Sequence, residues 1–149
     1  MAVEFQVLSL SDLDEIFNFA NQRLVASIPD EQERTFALWA AKWRREALEH
    51  YLKLGWSFIA RENGATVGFF LAQPFLFFRG QTQTLWVEHI EAIKPEIVER
   101  LIEVAVRVAR EKHLQRVLFS DSGKFMNELS PWRAVRISDD IAEVMTTKG

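Results

Sequence analysis

TLWVEHIEAIKPEIVER, residues 84–100, holds the change of rhythm that decides how this chain folds. In its first half Leu85, Val87, His89 and Glu91 alternate with Trp86, Glu88 and Ile90, the two-residue period of a strand. Pro95 opens the second half, at a position where a helix loses nothing from a missing N–H. Ile97, Val98, Leu101, Val104, Ala105 and Val108 then recur three or four apart, which predicts a helix with one buried stripe. Beyond that helix, Leu114 to Phe119 is a short β-branched and aromatic run, read as a parallel strand reached by a right-handed crossover.

Upstream lie two more strands. Trp56 to Arg61 runs into Glu62-Asn63-Gly64, and Asn-Gly between β-prone segments is a strong hairpin signal. Ala65 to Phe78 is apolar on both faces and reads as a central strand, with Pro74 marking a bulge or an unpaired edge. Arg79-Gly80 reads as the turn into Gln81 to Glu91. Earlier still, Glu4 to Leu10 is a loose strand, and Ser11 with Asp14 opens a helix carrying Leu13, Ile16, Phe17, Ala20 and Leu24. Asp30 with Glu33 starts a longer helix that Gly55 ends, its buried stripe expected to include Phe36, Trp39, Ala40, Trp43, Leu48, Tyr51 and Leu52. Downstream, Phe125 to Leu129 is a short helix, and Ala134 to Ile137 with Ile141 to Met145 a hairpin around Asp139-Asp140.

Composition bounds the function. The 149 residues suit one domain, and a formal net charge of −3 argues against nucleic acid or an anionic membrane as the main partner. The absence of cysteine excludes a disulfide framework, a thiolate metal site and a cysteine nucleophile, and it suits a cytoplasmic protein. No membrane segment is expected, because the longest apolar run, Val67 to Phe78, is too short to span a bilayer.

This order of elements resembles the GNAT (Gcn5-related N-acetyltransferase) fold over nearly the whole chain. The likeness rests on the helices between Ser11 and Leu54, the Asn63-Gly64 hairpin, and the strand Thr84 to Ala92 leading into the helix at Pro95. It implies an α/β (α+β) domain with a mixed, largely antiparallel central sheet and helices on both faces. It further implies that acetyl-CoA or another acyl-CoA lies in a splayed gap between Thr84–Ala92 and Leu114–Phe119. The acceptor would be a small-molecule or peptide amine. In the family the pyrophosphate meets the amides of a turn patterned Gln or Arg, two residues, Gly, any residue, Gly or Ala. The corresponding stretch here begins Ala92-Ile93-Lys94-Pro95-Glu96-Ile97 and runs to Arg100 without a glycine. The candidate cofactor residues are therefore Ala92, Ile93, Lys94, Glu96, Ile97 and Arg100, in a non-standard site. Pro95 removes a donor there, and Glu96 and Glu99 place carboxylates where they favour the helix start rather than an anion.

Acyl transfer to an amine needs a base. Glu88, His89 and Glu91, on the strand beside the expected gap, are the candidates, against the plainer reading that they end a strand at solvent. Strand alternation separates them, so no metal site is expected. The tyrosine that commonly protonates the thiolate in the family has no counterpart, since the only tyrosine is Tyr51 in the second helix. The crowded Phe69, Phe70, Phe75, Phe77 and Phe78 read either as an acyl pocket or, more simply, as core. Lys42, Arg44 and Arg45 read as a solvated basic run, as does Lys124. A second function stays open: a domain of this shape without catalysis, serving as a ligand-binding or protein-interaction module and pairing as a homodimer through exposed aromatics.

Overall fold

Asn63 and Gly64 both take positive φ, 54° and 80°, and this left-handed pair folds β2 (Phe58–Glu62) directly back onto β3 (Ala65–Phe78). The computed structural model describes residues 2–78 and 81–146, so the Arg79-Gly80 turn lies outside the described residues, as do the side chains of Phe77 and Phe78. Antiparallel pairing continues from β3 to β4 (Gln81–Ala92), and β1 (Val3–Val7) covers the far edge of β2. The helix from Pro95, α4 (Pro95–Glu111), crosses over to β5 (Arg116–Ser120), which runs parallel to β4. A hairpin of β6 (Val135–Ser138) and β7 (Ile141–Met145) completes a sheet ordered β1-β2-β3-β4-β5-β7-β6. The sheet is mixed and largely antiparallel, as expected. Pro74 sits where β3 has outrun β2, so its missing N–H costs no ladder bond.

Helices cover both faces. α4 buries Ile97, Leu101, Ala105 and Ala109 against Leu85, Val87 and Val117, together with the short α5 (Met126–Leu129). On the other face α1 (Leu13–Ser27) and α3 (Arg45–Leu54) bury Ile16, Ala20, Leu48 and Leu52 against Ile59, Phe69 and Leu71. Phe69 and Phe70 are thus core on opposite faces of β3.

Two expectations need correcting. The helix opened by Asp30, whose carboxylate accepts the Glu33 N–H (3.2 Å), stops at Ala40 as α2 (Glu31–Ala40). Ala41 and Arg44 are extended, and α3 begins afresh. No local breaker forces this; tertiary packing does, because Trp43 turns in under α1 to meet Phe17 edge-on (5.6 Å). The break leaves the α2 stripe without a partner: Phe36 and Trp39 pair with one another and are 65% and 63% exposed. The start signal of the first helix also falls earlier than expected, at Ser9, whose N–H donates to Asp12 (3.0 Å).

Arg61 on β2 ties the sheet to α1 by donating to Glu15 (2.8 Å) and Gln6 (2.7 Å), and the Thr66 hydroxyl donates to Glu15 as well. The Arg61 hydrogen bond outweighs burial and, with Thr66, holds the Glu15 carboxyl below its ordinary 4.5. A depressed folded-state pKa contributes stability that is complete above 4.5 and is lost as pH falls through the lower folded value. Glu15→Gln should therefore lower stability by about 0.5–1 kcal/mol at pH 7, solvent screening included. In urea titrations this difference should shrink as pH falls below 4.5 and through the lower folded-state value.

Candidate active site

Strands β4 and β5 pair only from Thr84–Arg116 to Val87–Phe119. Beyond that point β4 runs on from Glu88 to Ala92 while β5 ends at Ser120, and the sheet opens. At the same place β4 carries a bulge: Leu71 faces His89 and Ala72 faces Val87, so Glu88 is an extra residue with no partner across β3. A bulge resets the alternation of everything after it. Before it Leu85 and Val87 face α4; after it Ile90 and Ala92 do. Glu88, His89 and Glu91 consequently all face α1 and α3, which corrects the expectation that alternation separates them.

Each is held from that side. Glu88 accepts from Trp86 Nε1 (2.5 Å) and from the Tyr51 hydroxyl of α3 (3.4 Å). Burial, with the Glu88 charge added, pushes the Tyr51 phenol up, so it stays protonated. His89 packs on Phe69 (5.6 Å), and its Nε2 is 2.9 Å from Glu91 Oε1. Glu91 in turn accepts from Arg23 Nε of α1 (2.8 Å). The result is an imidazole oriented by a carboxylate that is itself anchored, with Nδ1 left for other work. Among the described residues no group of three or more acidic, histidine or cysteine side chains is arranged to hold a metal.

Lys42 closes the apex of the opening. From the α2–α3 connection, beside the buried Trp43, it donates to Ser120 Oγ (2.5 Å) and to Asp121 (2.9 Å), with Glu88 Oε1 at 3.7 Å. It thus strings β4 to the end of β5 instead of lying solvated. Burial pushes the Asp121 carboxyl up, but the Lys42 hydrogen bond and charge, aided by Lys124 and His89, outweigh it and hold the group below its ordinary 3.8. The left-handed backbone of Asp121 (φ 55°) turns the chain so that Lys124 comes to the opening.

Two clefts meet here. The larger, about 460 Å³, runs along the free end of β4 past Ala92, Ile93, Lys94, Pro95 and Val98, with Lys124, Phe125 and Glu128 opposite. The smaller, about 240 Å³, lies on the α1 face against Ala20, Leu24, Ser27 and Trp43. Arg23, His89, Glu91 and Lys124 line both, so the opening joins the two faces of the sheet.

Of the expected cofactor residues, Ala92, Ile93 and Lys94 line the larger cleft, but Glu96, Ile97 and Arg100 do not. Ile97 is buried in the core, and Arg100 lies over the Phe5 ring (4.8 Å). The start of α4 is poor in donors, since Pro95 has none and the Ile97 and Val98 N–H groups turn back to the Lys94 carbonyl (3.1 and 3.4 Å). Sequence reasoning missed Arg23 and took Lys42 for solvated. A signal existed for Arg23, a cation on the same helix face as Ala20 and Leu24. None existed for Lys42, whose place depends on the break between α2 and α3.

Solved structures share this architecture. The PaiA N-acetyltransferase of Thermoplasma acidophilum, in complex with coenzyme A, matches with a TM-score of 0.72 at 16% identity, over 97% of this chain and 99% of that one. A probable acetyltransferase from Staphylococcus epidermidis matches with a TM-score of 0.71 at 12% identity, over 98% of this chain and 100% of that one. A GNAT family acetyltransferase from Brucella melitensis in complex with acetyl-CoA matches with a TM-score of 0.66 at 14% identity, over 99% of this chain and 90% of that one. No curated protein matches the chain by sequence. Among the described residues no helix is long and apolar enough to cross a membrane. A family model described as "Protein of unknown function (DUF1999)" matches residues 6–124, and the chain belongs to that family, built on the GNAT fold.

Proposed function

We propose that this protein transfers an acetyl or other short acyl group from acyl-CoA to an amine, with His89 as general base. The observation that carries the reading is the meeting of two clefts at His89, Glu91 and Arg23 where β4 parts from β5. The larger cleft suits an elongated thioester. The smaller suits the acceptor, whose amine would reach the thioester through the opening. His89 Nδ1, directly or through one water, takes the proton from the attacking nitrogen; the new C–N bond forms, the C–S bond breaks and the thiolate leaves. Glu91 orients the imidazole and Arg23 anchors Glu91. That solved proteins of this fold carry coenzyme A and acetyl-CoA supports the choice of donor.

The pyrophosphate site is non-standard. With few free amides at the start of α4, the Lys94 side chain supplies the positive charge that a glycine-rich turn would otherwise provide. Glu96 does not line the cleft, so its repulsion is weaker than its sequence position suggests. The test is acetyl-CoA binding followed as a rise in melting temperature, which Lys94→Glu should weaken.

A second reading has one observation of its own. The exposed Phe36–Trp39 pair on α2 is an apolar feature that catalysis does not use, and it favours an interaction module, with a second copy of the chain as one candidate partner. A wild-type protein that binds no acyl-CoA and runs as a dimer would favour it.

A further inference from the structure

The acceptor's chemical class follows from what lines the smaller cleft. Its volume of about 240 Å³ is below that of ordinary drug-sized sites, roughly 300–1,000 Å³, and suits a free small molecule rather than a folded partner. Its two cations, Arg23 and Lys124, face one carboxylate, Glu91, so the formal balance of these three groups is positive. That balance disfavours a polyamine. The bond from Arg23 to Glu91 uses Nε, and the two terminal nitrogens of the guanidinium present the planar fork that receives a carboxylate. Lys124, carried by the turn after β5, stands across the opening. The remaining wall is apolar, formed by Leu24 and Trp43.

We infer that the acceptor is a free amino acid, or a similar short amino-carboxylate, with an apolar side chain. Its carboxylate lies between Arg23 and Lys124, its amine at His89, and its side chain against Leu24 and Trp43. This rests on the transferase reading and adds the substrate class to it. Acyl transfer then yields an N-acyl amino acid and free CoA: the amine nitrogen gains the acyl carbon and gives up a proton through His89, and the sulfur leaves as thiolate.

The experiment compares L-leucine, its decarboxylated counterpart isoamylamine, and spermidine, each with acetyl-CoA, by release of free thiol. Wild-type kcat/KM, expressed per free-base amine because the carboxylate also lowers the pKa of the neighbouring ammonium, should favour L-leucine over isoamylamine by at least about tenfold through the charge-assisted contact. Lys124→Met should collapse that ratio to within about threefold by raising the KM for L-leucine. The ratio cancels any effect on acyl-CoA or on the folded fraction. Equal use of isoamylamine, preference for spermidine, or an unchanged ratio in Lys124→Met overturns the substrate class while leaving the transferase reading intact. No transfer to any amine, with no acetyl-CoA binding, overturns both.

Discussion

His89→Asn should lower kcat for acyl transfer by about 10²–10⁴-fold, the usual contribution of a positioned acid or base, and leave acetyl-CoA affinity within a few-fold. The distinction between the three candidates is geometric. Glu88 is crowded by the Trp86 indole, the Tyr51 hydroxyl and the Lys42 ammonium, and it lines neither cleft. A carboxylate so occupied is poorly placed to accept a proton from substrate. Glu91 lines both clefts but is bonded to Arg23 and His89. His89 lines both clefts with one ring nitrogen uncommitted to Glu91. Glu91→Gln should therefore cost less than His89→Asn, because it disturbs the ring's orientation without removing the ring. Glu88→Gln should show mainly as a loss of stability. Steady-state kinetics on the three variants, with melting temperatures alongside, checks this order. A Glu88→Gln enzyme that folds normally and is the most impaired would transfer the role of base to Glu88.

Gly68→Ala should destabilise the protein by about 1–3 kcal/mol, the usual cost of overpacking. For a chain of this size each kcal/mol lowers the melting temperature by roughly 2–4 °C. A Cβ built at Gly68 meets Ala92 Cβ at 2.9 Å, the Glu91 carbonyl oxygen at 2.9 Å and Ile97 Cγ2 at 3.0 Å. None of these can swing away, because Glu91 O is backbone, Ala92 has no rotamer, and Ile97 is locked in the core. The position holds three things together: β3, the free end of β4 and the first turn of α4. Ile93 N–H donating to Val67 O (2.9 Å) fixes the same junction. Relief of the clash has to push β4 outward and carry Glu91 with it, so acyl transfer should fall along with stability. Calorimetry combined with the thiol-release assay separates the two losses.

Much of the fold was legible because its signals are local. The helix opened at Pro95, the Asn63-Gly64 turn and the Asp30 cap each depend on neighbours within a few residues, and each stands as read, although the buried stripe of α4 is turned toward Ile102, Val106 and Ala109 and leaves Val98, Val104 and Val108 only partly buried. What resisted reading depends on partners far along the chain. The bulge at Glu88 is a matter of register between β3 and β4, and nothing in Trp86 to Glu91 announces it. Yet that one extra residue turns His89 and Glu91 away from the face of Leu85 and Val87 and brings the three candidates together on the side of Trp86. The break at Ala41 to Arg44 is likewise tertiary, and it decides both that Trp39 is exposed and that Lys42 reaches β5. The proline and glutamate at the start of α4 were correctly read as filling the helix end, but only the structure shows Glu96 outside the cleft and Arg100 lying on Phe5.

The central claim is that acyl-CoA occupies the opening between β4 and β5, and a melting-temperature titration with acetyl-CoA tests it most directly. A ligand bound only by the folded state at a hundred times its Kd contributes about 2.7 kcal/mol. For this chain that is a rise of roughly 5–10 °C. The expected result is a saturable rise in the wild type and a curve displaced to higher acetyl-CoA concentration in Lys94→Glu. A flat curve for the wild type up to millimolar acetyl-CoA would contradict the claim.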